Sequence, residues 1–170
     1  MGFCVILCLL LFSTLMANFL GECEVAIDAK GRFLLPSGFR KQLAEGNGGK
    51  FVINRGIENC LTIYTEDVWE EVSGKVNKLN DFKASVRKFK RLFLNGATRV
   101  ELDSADRMLL PKNLLEYAGI KKDAVFSPQG NKVELWDKDT YYKYIQENSG
   151  SYSDLADDVA EDFGTPLDKI

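Results

Sequence analysis

The 170 residues hold 22 Lys and Arg against 25 Asp and Glu, a net charge of -3, with 45% hydrophobic and 28% charged residues and no histidine. This composition excludes a disordered chain, and the length allows one domain or two small ones that share a core. Without histidine the chain lacks the commonest general base and the commonest metal ligand. The charge is also unevenly placed. Residues 149–170 carry six acidic side chains against Lys169 alone, a net of -5, which leaves +2 on residues 1–148. The acidic tail therefore masks a body able to present a basic face.

The first fifteen residues, MGFCVILCLLLFSTL, are apolar, and no charge appears before Glu22. A secretory signal would need a basic segment before this run and a small-residue cleavage site after it. A membrane anchor is disfavoured by length and by Ser13, Thr14 and Asn18. The preferred reading is an over-extended start over residues 1–15, with translation beginning at Met16; the signal and the anchor stand as alternatives. Of the four cysteines, Cys4 and Cys8 lie in this run, and no pair has zinc-site spacing. Cys23 and Cys60 read as buried thiols, with a disulfide between them as the alternative.

From Glu22 the chain reads as short elements. Glu24–Ile27 alternates as a strand, Asp28–Gly31 is a turn, and Arg32–Leu35 returns as a second strand. Pro36 opens a helix over 38–45 with Phe39 and Leu43 on its buried side. Strands over 51–53 and 61–64 form a hairpin around Arg55-Gly56, and Glu66–Val72 is helical. The same order then recurs. Arg99–Leu102, a turn, Met108–Leu110, a helix opened by Pro111 and closed by Gly119, a hairpin of 124–126 with 132–136, and a helix over 139–146 follow. Between the two units, Leu79, Phe82, Val86, Phe89 and Phe93 recur at spacings of 3 and 4, which predicts one amphipathic helix. Its other side carries Lys75, Lys78, Lys83, Arg87, Lys88, Lys90 and Arg91, read as a solvated face or as part of a nucleic-acid field. The tail, 149–170, is expected to be disordered.

The repetition is sharpest at two turns. Asp28–Pro36 reads DAKGRFLLP and Asp103–Pro111 reads DSADRMLLP, with five identities in nine at a constant displacement of 75. In D-x-x-x-R the carboxylate can accept backbone N–H bonds across the turn and pair with the guanidinium four residues on. Asp28 and Asp103 are therefore read as structural pins. Arg32 at a loop apex, with Lys30 beside it, is placed to reach a phosphate or the O6/N7 edge of guanine. Arg40 and Lys41, on the short helix that follows, read equally well as an extension of that patch or as an exposed helical face. Arg107 is the second-copy counterpart and leans to a structural role, because Asp106 beside it would repel phosphate. No histidine, nucleophile motif, phosphate loop or metal cluster supports an enzyme, a cofactor, a metal or a small-molecule substrate.

The paired DAKGR and DSADR motifs, each with LLP after it, together with RLFLNGA and GNKVELWDKDTYY, carry a family resemblance. From Met16 to about Gln146 the chain resembles the MraZ family, which has two tandem SpoVT/AbrB-like domains. The resemblance implies an α+β fold of two pseudo-symmetric units, 22–69 and 98–141, joined by a helical segment over 70–97. These would form a swapped-hairpin β-barrel. It also implies a ring-shaped homo-oligomer that is cytoplasmic and associated with the nucleoid, with no membrane partner. The expected function is a sequence-specific transcriptional repressor acting on G-rich direct repeats in the promoter of the division and cell-wall gene cluster. Arg32 is the DNA contact implied by motif position. A ring-forming scaffold without DNA readout is the alternative.

Overall fold

A computed structural model describes residues 19–43 and 48–163. The apolar leader, with Cys4 and Cys8, lies outside the described residues. The chain divides into two units, through Asp137 and from Lys138 onward.

The first unit is built from two copies of one strand order. In the first copy come β1 (Cys23–Ala26), β2 (Arg32–Leu34), a one-turn helix α1 (Ser37–Arg40), β3 (Lys50–Arg55), β4 (Leu61–Thr65) and α2 (Glu66–Asn77). Helix α3 (Ala84–Leu94) leads into the second copy. There β5 (Thr98–Glu101), β6 (Arg107–Leu109), α4 (Lys112–Ala118), β7 (Asp123–Gln129) and β8 (Lys132–Asp137) follow. Both hairpins, β3–β4 and β7–β8, are antiparallel and draw on β-branched and aromatic residues that suit a pleated surface. Gly119, at φ 66, closes α4: its N–H donates to Glu116 O and the Ile120 N–H to Leu115 O, a left-handed helix cap.

The copies are interlaced. A six-stranded antiparallel sheet runs β1-β7-β8-β4-β3-β5. Thus β1 of the first copy pairs with β7 of the second, while β5 of the second pairs with β3 of the first. The β4–β8 ladder joins the two hairpins, with Ile63 opposite Val133. A separate two-stranded ribbon, β2–β6, sets Phe33 opposite Met108, the two residues related by the repeat. Both are buried in the main core with Phe39, Phe51, Phe126 and Leu135. Each such side chain contributes about 1.5–3 kcal/mol by leaving water. Alternation along β3 and β4 sends Phe51, Ile53 and Ile63 into that core. Val52 and Tyr64 go to the other face, against Val68 and Trp69 of α2, where Phe93 of α3 stacks on Trp69 at 5.6 Å.

Three expectations change. The linker is two helices, because Lys78–Lys83 breaks the run that the apolar spacing predicts to be continuous. Asn80 Oδ1 accepts the Phe82 N–H at 2.9 Å, a local turn that competes with helix. Arg87 donates to Asp81 O and Phe82 O, and Lys90 to Asn77 O and Leu79 O, which ties off the end of α2. Phe82 is consequently 94% exposed rather than part of a buried stripe. The helix expected over 38–45 is regular only through Arg40. Tighter turn bonds then run from Gln42 and Leu43 back to Phe39 and Arg40, and residues 44 and 45 lie outside the described residues. The tail is not without regular structure. The second unit carries α5 (Lys138–Ser149) and α6 (Tyr152–Phe163). Tyr152, Leu155 and Val159, at spacings of 3 and 4, supply the period for α6, and Asp154 lies favourably in its first turn. Among the described residues, no helix is long and apolar enough to cross a membrane.

Candidate nucleic-acid interface

The first turn closes on itself through Asp28. Its N–H donates to Arg32 O at 2.8 Å, and its carbonyl accepts the Gly31 N–H at 2.9 Å. Oδ1 accepts the N–H groups of Lys30 and Arg32, each at 2.9 Å. Oδ2 accepts Arg32 Nε at 2.9 Å and lies 2.8 Å from Nη2. The second turn repeats these bonds. Asp103 Oδ1 accepts from Ala105 and Arg107 N–H at 2.9 and 3.0 Å, and Oδ2 accepts Arg107 Nε at 2.9 Å.

These donors favour the ionised carboxylates. The Arg32 side chain, then the Arg32 and Lys30 N–H groups, hold the Asp28 carboxyl down at about 2. The Arg107 and Ala105 N–H groups, with the Arg107 side chain, lower that of Asp103. Both turns also need a left-handed backbone position. Gly31, at φ 80, fills it in the first, whereas Asp106, at φ 57, fills it in the second.

The ribbon brings the two turns side by side instead of onto separate faces. Leu110 N–H donates to Gly31 O at 2.8 Å and Leu35 N–H to Asp106 O at 3.0 Å, a reciprocal pair of bonds between the copies. Arg32 Nη1 reaches within 3.9 Å of Asp103 Oδ2. The Arg32 side chain is 24% exposed and that of Arg107 38%, so Arg107 is the more open of the two guanidinium groups. Arg40 pairs with Asp106 across the copies. That pairing matches the carboxylate that, from sequence, sets the second loop against phosphate. Lys30 and Lys41 are exposed, and neither makes an ion pair among the described residues.

Two further cations belong to this surface. Ile27 N–H donates to Lys122 O at 2.6 Å, so the exposed Lys121-Lys122 segment lies beside the first turn. Its counterpart at the second turn is Gly49, whose carbonyl accepts the Leu102 N–H at 3.0 Å. The sequence holds no local signal for this asymmetry, because the two lysines come from the other copy. The linker's basic run is partly consumed in structure. Arg87 and Lys90 tie off the interhelical turn and Lys75 pairs with Glu71, while Lys78, Lys83, Lys88 and Arg91 remain exposed.

One group among the described residues has metal-ligand proximity: Glu58, Cys60 and Glu134, with ligand atoms within 4.8 Å of one another. Burial, with Glu134 and Glu58 alongside, pushes the Cys60 thiol up to about 12. A metal needs the thiolate, and Glu134 already bonds Trp136 Nε1 and Lys132 Nζ, so the set is poorly suited to an ion. Cys23 and Cys60 are both free thiols.

Two consecutive segments, residues 18–92 and 93–163, match the family model described as "MraZ protein, putative antitoxin-like". Over 145 residues the chain is 41% identical to a protein of Christiangramia forsetii named transcriptional regulator MraZ. That alignment covers 85% of this chain and 94% of the relative.

Proposed function

The chain belongs to the MraZ family, and on that premise we propose that it is a DNA-binding transcriptional regulator that reads sequence through its paired turns. The observation that carries the reading is the single exposed surface formed by both D-x-x-x-R turns, with Arg32 and Arg107 on it and Lys30, Lys121 and Lys122 beside the first turn. The bonds from Asp28 hold the Arg32 guanidinium in a fixed plane, as bidentate recognition of guanine O6 and N7 requires. Lys30 supplies a contact to the phosphate backbone, which positions the protein without carrying sequence information, and Arg40 would join it by exchanging Asp106 for a phosphate.

On this reading the interlaced sheet and the ribbon belong to a swapped-hairpin barrel of SpoVT/AbrB-like units, an assignment supported by the exchange of β1 and β5 between the copies. Several such bodies in a ring would set identical turns against successive direct repeats about 10–10.5 base pairs apart. Linked contacts raise avidity through effective concentration, which offsets the few phosphate contacts of one copy. The expected targets are G-rich repeats in the promoter of the division and cell-wall gene cluster, with repression as the outcome. The protein would then act in the cytoplasm at the nucleoid.

A mobility-shift titration of the full chain against its own upstream promoter DNA tests this reading. Binding should weaken as salt rises and resist a random-sequence competitor. Absence of a shift at low salt, or complete displacement by the competitor, would reject it.

A further inference from the structure

Strand alternation gives the β2–β6 ribbon two unlike faces. Phe33 and Met108 point into the core, and the opposite face presents Arg32, Leu34, Arg107 and Leu109. The antiparallel register places Arg32 opposite Leu109 and Leu34 opposite Arg107, so each arginine neighbours a leucine of the other copy. Leu34 is 60% exposed and Leu109 52%. A single exposed leucine is ordinary on a protein surface. Here the same residue type is left uncovered at the same place in both copies, on the face that also holds both turn arginines.

The charge of this surface indicates what covers it. Asp28, Asp103 and Asp106 are each matched by a guanidinium, from Arg32, Arg107 and Arg40. Lys30, on the first turn, makes no ion pair among the described residues, so the turns carry a positive charge beyond these matched pairs, beside two apolar side chains. An anionic polymer with apolar groups on its reading edge is complementary to that arrangement. Duplex DNA is such a polymer. Its major groove, about 12 Å wide, admits a two-stranded ribbon, and the thymine C5-methyl is the apolar group displayed there. Three residues per strand span roughly 10 Å, which is about three base pairs.

We propose that Leu34 and Leu109 are specificity-determining residues that pack on pyrimidine C5-methyl groups in the major groove, beside guanines read by Arg32 and Arg107. This inference rests on the DNA-binding reading given above and extends it to both copies of the repeat. It requires a thymine within about three base pairs of a contacted guanine, in two halves related by the approximate twofold of the ribbon.

The test uses the full chain and duplexes that it selects from a random-sequence pool. Each thymine in the selected site is replaced singly by uracil, which removes only the methyl group, and each cytosine by 5-methylcytosine. Uracil at the contacted position should weaken binding about fourfold, the size expected for one buried carbon. In Leu34→Ala or Leu109→Ala, whichever faces that position, thymine and uracil duplexes should bind alike. A double-mutant cycle isolates this coupling from any general loss. Binding that ignores every methyl substitution would overturn the proposal, with the DNA-binding reading intact. So would a methyl effect that survives in both alanine variants, or variants that alter only oligomeric state. If no duplex is enriched from the pool, the underlying reading fails as well.

Discussion

Gly31→Ala tests the pseudo-symmetric turn at its most constrained point. The glycine sits at φ 80, where a Cβ costs about 1–2 kcal/mol. The added carbon would also lie 3.3 Å from both Leu110 O and Leu115 Cδ1. The leucine side chain can give way. The carbonyl is less free, because its own residue donates from Leu110 N–H to Gly31 O across the ribbon. We expect a destabilisation of about 2 kcal/mol or slightly more. Asp106→Gly is the matching control at the equivalent place in the second copy, φ 57. It relieves the left-handed penalty of a non-glycine residue but removes the half-exposed ion pair with Arg40, worth about 0.2–1 kcal/mol. The two effects should nearly cancel, to within about 0.5 kcal/mol. Urea unfolding at one fixed protein concentration provides the comparison, with midpoints interpreted only if the slope is unchanged. If Gly31→Ala unfolds at the wild-type midpoint, the left-handed turn contributes nothing and the argument from paired turns is wrong.

Three other outcomes follow from the same geometry. Phe33→Ala empties the centre of the ribbon beneath the repeat axis and should cost about 3–5 kcal/mol in the same unfolding assay. Lys90→Met keeps the buried stem but loses the bonds to Asn77 O and Leu79 O; it should cost about 1–2 kcal/mol and speed amide exchange over residues 78–83, with unchanged exchange speaking against the tie. Asp28 is held at about 2 against an ordinary 3.8, so its ionised form is favoured by folding. A depressed carboxyl stabilises fully above its unfolded value and loses that contribution as pH falls through the folded one. Wild type should therefore exceed Asp28→Asn in stability above about pH 4, with the gap closing toward about pH 2. A gap that stays constant over that range would show that the carboxylate is not the source.

Much of the first unit is legible in the chain itself. Each turn declares itself through Asp and Arg four apart and a following LLP, and both hairpins through alternating Val, Ile, Leu and Phe. Those signals are local. What cannot be read locally is exchange between the copies. Cys23 pairs with Phe126, and nothing within either segment distinguishes that partner from a strand of the same copy. The Arg40–Asp106 pair has the same origin, and it gives Asp106 a partner cation from the other copy that no local pattern announces. Likewise, Lys121 and Lys122 join the first turn only because β7 lies against β1.

The linker shows the opposite failure. A period of 3 and 4 from Leu79 to Phe93 is satisfied on paper, but the side chain of Asn80 and the turn carbonyls taken up by Arg87 and Lys90 favour a break. The exposure of Leu34 and Leu109 was readable in principle. Each follows a core residue, Phe33 or Met108, by one position in a strand and so must face the other way.

The central claim is that the surface of paired turns reads DNA, and fluorescence anisotropy on a labelled promoter-repeat duplex and a random duplex tests it most directly. Wild type should bind the repeat more tightly than the random duplex. Arg32→Ala should lose about 1–3 kcal/mol on the repeat and little on the random sequence. Arg32→Lys, which keeps the charge but not the bidentate fork, should lose most of the same discrimination. Lys30→Ala should weaken both duplexes alike and reduce the salt slope by about 1. Discrimination that persists in Arg32→Ala and Arg32→Lys, in proteins that melt like wild type, would place the reading surface elsewhere on the molecule.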